Sequence, residues 1–169
     1  MSGHATSSGA STSARSPPVS ARRGGRAARG PSSAEKVVRI TIVRGKSGAT
    51  LALVPIYLEG RGPFRFAIDT GATRSVIDAG LVRRLHIPIT GKGGRVAGLS
   101  SIVSANKIFV TNWRAGSVRL PRRTILSVPM PAAMGKIALQ GLIGSDILRL
   151  FGMAAIDFKR GRLILGARP

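Results

Sequence analysis

From Val37 onward the apolar residues arrive in short, β-branched runs separated by glycine, proline or arginine, and that texture limits what the chain can fold into. VVRITIV, TLALVPIYL and PFRFAI come first, with GRG between the last two, and SANKIFV, SVRL and RTILSV follow at short spacing. Such runs are strand chemistry, because branched side chains fit a pleated surface and turn residues end each run. MAAIDF and RLIL, joined through Lys159, Arg160 and Gly161, read as a hairpin. Two short helices are expected, one capped by Asp78 and running through AGLVRRL, the other following Ser145 or Asp146 through ILRLF. With no solenoid-type repeat, the sum is an all-β barrel or sandwich with one or two short helices. None of the apolar runs approaches the ~20 residues of a membrane-spanning helix, so no transmembrane segment is expected.

A length of 169 residues fits one domain and a tail. Residues 1–34 are mostly Ser, Ala, Gly, Pro and Arg, with Arg15, Arg22, Arg23, Arg26 and Arg29 and no acid. Such a stretch buries too little apolar surface to offset its ordering entropy, and it is read as a disordered basic tail ahead of a domain at 35–169. A nucleic-acid arm, a transit-like address and a solubilising tail all fit its composition. MSGHATSSGA has no apolar core of the kind a secretory signal needs, which makes the cytoplasm the default compartment.

Lys and Arg number 27 against 6 Asp and Glu, a net charge of +21. Such a field attracts nucleic acid, anionic membranes and acidic proteins, but it says nothing about fold. Nonspecific, salt-sensitive nucleic-acid binding is one expectation. Base-specific readout is not, because no aromatic pair alternates with basic residues. The chain has no cysteine and two histidines, His4 in the tail and His86 alone after the first helix. Thiolate cages and a cysteine nucleophile are thereby excluded, and neither a metal nor a cofactor is expected. Phosphate-binding motifs fail on spacing. Gly45-Lys46-Ser47 lacks the glycine five residues before Gly45, where Ile40 stands, so it reads as a basic hairpin turn; GKGG at 91–94 reads as a loop.

With six acids in the chain, each must be explained, and Asp69 is the most informative. Phe64, Phe66 and Ile68 alternate along a half-buried strand that runs directly into Asp69-Thr70-Gly71, where glycine permits a turn. The carboxylate is thereby presented at a strand end. Asp, Thr and Gly are also ordinary turn residues, so the wider pattern must decide.

That wider pattern resembles the retropepsin-like (clan AA) aspartic proteases, particularly the bacterial single-domain members. Asp69-Thr70-Gly71-Ala72, with Ser75-Val76-Ile77 after it, matches the D-T-G-[AS] signature; Gly141-Leu142-Ile143-Gly144 opening into Ser145-Asp146-Ile147-Leu148 is similar to the second. Arg95 to Val103 lies between them, where the family carries its flap. The resemblance covers about residues 50 to 166. It implies a closed barrel acting as a homodimer, since peptide hydrolysis by this route needs two carboxylates and the chain has one D-T-G. Asp69, Thr70 and Gly71 would be catalytic, with Thr70 locking the paired loops together. Ala72, Thr73, Arg74 and the flap residues Gly98, Leu99 and Ser100 would meet a polypeptide substrate, acidic or unfolded in character, and Ile143 and Gly144 would back the catalytic loop. Ala72 cannot donate the side-chain hydrogen bond of a serine, which implies activity at milder pH than a D-T-G-S enzyme. A weakly active or inactive retropepsin-like module that binds peptides or proteins, and a basic nucleic-acid-associated protein, are the alternatives.

Overall fold

The computed structural model describes residues 35–45, 48–97, 102–131 and 137–166; the basic tail read at 1–34 lies outside them. The first apolar runs become β1 (Lys36–Arg39), β2 (Thr41–Arg44), β3 (Thr50–Leu58) and β4 (Arg61–Ile68). After the D-T-G loop come β5 (Val76–Asp78), α1 (Ala79–Arg84), β6 (Ile89–Ala97) and β7 (Ile102–Val110). Next are β8 (Trp113–Ala115), β9 (Val118–Arg119), β10 (Arg123–Val128), β11 (Gly141–Ile143) and α2 (Ser145–Leu148), which tightens into a 3-10 turn over Arg149–Phe151. β12 (Ala154–Asp157) and β13 (Arg162–Leu165) form the closing hairpin. The protein is mainly β with two short helices, and no helix among the described residues is long and apolar enough to cross a membrane.

Ten strands make one sheet in the order β6-β7-β10-β5-β11-β4-β3-β8-β9, with β2 added on β3; β1, β13 and β12 make a second. VVRITIV was expected as a single strand, yet it serves both sheets: β1 pairs with β13 and β2 with β3. The switch falls at Ile40, whose N–H donates to Gly161 O at 2.9 Å. Its side-chain alternation passes through the switch unbroken, since Val38 and Ile40 are buried in the main core and Ile42 packs against it. Burial of one face holds the run together while its hydrogen-bond partners change.

Gly91 to Gly94 departs from the loop expectation, because the segment is part of β6 and pairs with β7 through two register shifts. Glycine is needed there for close approach: a Cβ on Gly93 would stand 3.0 Å from the Ala105 Cβ, and Gly94 has a φ of 82°. The basic turn at Gly45 fits its reading, with Gly45 N–H donating to Ala49 O at 2.7 Å between β2 and β3, although Lys46 and Ser47 lie outside the described residues.

Helix α1 begins as read, with Asp78 Oδ2 accepting from Leu81 N–H at 2.9 Å. Helix α2 does not. Its cap position is Gly144, which has no side chain to offer, and Ser145 and Asp146 sit inside the first turn. The Asp146 carboxylate is occupied elsewhere.

In the closing hairpin, the Arg160 N–H and then the Arg162 side chain hydrogen-bond to Asp157 and hold its carboxyl below the ordinary value. A lowered folded value gives stability that is present above the unfolded carboxylate value and lost as pH falls through the folded one. The Tm gap between wild type and Asp157→Asn is therefore expected to be clear at about pH 6 and to close at about pH 2. A gap unchanged across that range in thermal melts would contradict this assignment.

Candidate active site

β11 lies between β4 and β5, parallel to the first and antiparallel to the second. The segment that joins β4 to β5, residues 69–75, must therefore cross the end of β11. Asp69 begins that crossing, with its N–H donating to Ile143 O at 3.0 Å one step beyond the Ile68–Ile143 pair. The side chain is exposed where the strand stops. Its Oδ1 accepts from Gly71 N–H at 2.9 Å and Ala72 N–H at 3.2 Å, which curls the loop around the carboxylate. Oδ2 takes no hydrogen bond among the described residues. Ala72 reaches Asp69 only through its backbone.

The loop is seated from behind by two residues that lie in the matched signatures but to which the family resemblance gave no role. Asp146 is buried, and its Oδ1 accepts from both Ser75 N–H at 2.9 Å and Ser75 Oγ at 2.6 Å. Ser75 Oγ in turn accepts from Gly144 N–H at 2.9 Å. Beside this clasp, Ser145 N–H and Oγ–H donate to Ala72 O at 2.8 Å and 3.0 Å. Approach this close requires Gly144, where a Cβ would stand 2.8 Å from Ala72 O and 2.9 Å from Arg74 O. The sequence signal was available: a buried acid directly after Ile-Gly-Ser, in a chain with six acids, needs a stated partner.

In front of the loop is a cleft of about 560 Å³. Asp69, Gly71, Ala72 and Arg74 line it from the loop, while Val96, Ala97 and Val103 line it from the β6–β7 hairpin. Thr70 and Thr73 are exposed but do not line it, and Thr70 Oγ1 makes no hydrogen bond among the described residues. Ile143 is buried behind the loop. Gly98, Leu99 and Ser100 lie outside the described residues. The apolar wall from Val128 to Met130 was missed by the sequence reading, because RTILSV carries no site signature. His86, exposed at a φ of 54° after α1, is not part of the cleft. The arrangement can present one carboxylate, with a free oxygen, at the floor of an apolar cleft.

The clasp sets an expectation for stability. Asp146→Ala leaves two Ser75 donors buried without an acceptor and should cost about 2–4 kcal/mol, whereas Asp146→Asn keeps an acceptor oxygen and should cost about 1 kcal/mol. Urea unfolding of the two variants measures the difference, and equal losses would show that the clasp is not what Asp146 contributes.

No curated protein matches the sequence. Among solved structures, a retropepsin-like aspartic protease from Rickettsia conorii superposes with a TM-score of 0.50 at 17% identity, over 79% of this chain and 91% of that one. The retroviral protease-like domain of Ddi1 from Leishmania major does so with a TM-score of 0.50 at 17% identity, over 70% and 94%. These likenesses are of fold, and they make the architecture retropepsin-like. The sequence profile described as aspartyl protease matches residues 54–147. Because that match takes in the Asp69 loop and the β11–α2 turn behind it, and more than half of the chain with them, the chain belongs to the aspartyl protease family.

Proposed function

We propose that the chain is an aspartic endopeptidase that works as a two-fold homodimer, with one Asp69 from each copy in the active site. The observation that carries this reading is the single carboxylate: among the described residues Asp69 is the only acid lining a cleft whose chemistry needs two. The other aspartates are committed elsewhere, Asp78 to Leu81 N–H, Asp146 to Ser75 and Asp157 to Arg160 N–H. A second copy is the remaining source of a matched carboxylate.

In that dimer the paired Asp69 side chains share one proton. The ionised member takes a proton from a bridging water as the water oxygen attacks the scissile carbonyl. The protonated member gives its proton to the carbonyl oxygen, and collapse of the tetrahedral intermediate returns a proton to the leaving amine. Thr70, exposed beside Asp69, would meet its counterpart across the axis. The polypeptide lies extended between the loop and the β6–β7 hairpin, with Gly71 offering backbone groups and the stretch between β6 and β7 in sequence, which contains Gly98, Leu99 and Ser100, as flap. Residues 35–169 form the protease domain in this reading, and 1–34 a basic appendage.

The second sheet supports self-association. β12 pairs only with β13, so its outer edge carries unpaired backbone groups among the described residues, between exposed Met153 and Phe158. Such an edge invites another strand, and a two-fold axis would pair β12 with its own copy. Nucleic-acid association rests on charge alone and gains nothing from the site.

Cleavage of an unstructured protein mixture between about pH 3 and about pH 8 tests the reading, with Asp69→Asn and pepstatin in parallel. Asp69→Asn is expected to lose activity by at least ~10³-fold. Ala72→Ser should move the optimum toward acid, because its hydroxyl would donate to an ionised carboxylate. Equal activity in Asp69→Asn would overturn the paired-carboxylate mechanism, and no activity from a folded wild-type dimer would leave a peptide-binding module instead.

A further inference from the structure

We propose that Arg74 makes this cleft selective for polypeptide segments that carry an acidic side chain two positions from an apolar one near the bond to be cut. The inference rests on the endopeptidase reading of the same site. Among the residues that line the cleft, Asp69 and Arg74 are the charged ones, and most of the rest, such as Leu51, Ile68, Val76, Val128 and Met130, are apolar. With Asp69 reserved for the water, Arg74 is the charge left to read a substrate side chain.

Arg74 is also held in place. A Cβ on Gly144 would stand 2.9 Å from both the carbonyl carbon and the oxygen of Arg74, so the turn behind packs directly on its main chain. The next N–H, that of Ser75, donates to buried Asp146 at 2.9 Å. The backbone is therefore fixed on both sides while the side chain stays exposed at the cleft. A fixed anchor loses less freedom on binding than a free loop would.

The guanidinium has no carboxylate partner among the described residues. Both ion pairs found there use Asp157, and Glu59, Asp78 and Asp146 accept from backbone N–H groups elsewhere. A substrate laid over the cleft removes water from Arg74, and covering an unpaired cation is unfavourable. A carboxylate on the substrate can supply two parallel hydrogen bonds to the guanidinium fork. A neutral side chain leaves the cation uncompensated, and a basic one meets repulsion. Along an extended peptide, alternate side chains face the same way, so an acidic and an apolar residue separated by one position can enter the cleft together. The two-fold axis places a second Arg74 in the symmetry-related half, which extends the preference to both sides of the scissile bond.

The bulk charge of +21 would draw any acidic peptide, so the test must separate Arg74 from the general field. The probes are fluorogenic peptides with an apolar core in which a single Glu, or Gln as its neutral match, is moved one position at a time. They are given to full-length wild type, Arg74→Glu and Arg119→Glu, the last an equal charge change at an exposed position on β9, outside the cleft. At one or more positions wild type should favour Glu over Gln by about fivefold in kcat/KM, with Arg74→Glu reversing the order and Arg119→Glu keeping it. Equal treatment of Glu and Gln at every position, or equal loss in both variants, would overturn the inference and leave the protease reading intact. Binding of the same peptides to Asp69→Asn, with and without Arg74→Glu, is read by fluorescence anisotropy. If no peptide is cut, a Glu preference in binding that depends on Arg74 sustains this inference while ending the endopeptidase reading; no preference in binding overturns it.

Discussion

One buried carboxylate joins the two stretches from which the site is built. Asp146 Oδ1 receives both donors of Ser75, and Ser75 Oγ receives the Gly144 N–H, so a loop near the middle of the chain is tied to a helix start some 70 residues later. A buried carboxyl group is tolerable only while it is hydrogen-bonded. That makes seating of the loop close to all-or-none: a partly docked loop would strand the carboxylate. Order at Asp69 is imposed from below, by atoms that never meet a substrate.

The clasp can close only because of how the sheet is threaded. β4 and β5 are neighbours in sequence, but β11 lies between them, with Phe66 opposite Gly141. The Phe66 ring fills the space that a Cβ on Gly141 would need. Glycine at 141 therefore sets how closely β11 approaches β4, and glycine at 144 sets how closely the turn approaches the loop. A rigid floor under a short loop is a better support for a catalytic group than a long free segment, since the supporting strands fix the geometry to within side-chain packing.

Several of these features were legible in the sequence because they are local. Alternation through Phe64, Phe66 and Ile68 marks a strand, Asp78 marks a helix start, and the matched Asp-Thr-Gly and Leu-Ile-Gly signatures mark the family. What was not legible is pairing. Alternation in VVRITIV tells which face is buried but not which strand lies alongside, so the switch of sheets at Ile40 left no local trace. Glycine at 91–94 was ambiguous for a related reason: it marks a turn and a bulged strand equally well until its neighbours Ala105 and Leu126 are known. The second helix was expected to follow Ser145 or Asp146, and only the tertiary contact with Ser75 shows that Asp146 lies inside the first turn with its carboxylate committed elsewhere.

The charge imbalance takes on a different meaning once each aspartate has been placed. All four accept at least one backbone N–H, so the acids serve mainly to satisfy donors where the chain turns, rather than to neutralise 27 cations. Most of the positive charge is thus left for solvent and for whatever anionic partner comes near. A diffuse field of that kind raises encounter rates and falls with salt, and by itself it discriminates poorly among anionic partners. Discrimination needs a cation that becomes covered when the ligand binds, because only then does a missing partner cost anything. On the reading proposed above Arg74 meets that condition, and it lies a few residues from Asp69, the carboxylate that lines the same cleft with an oxygen to spare.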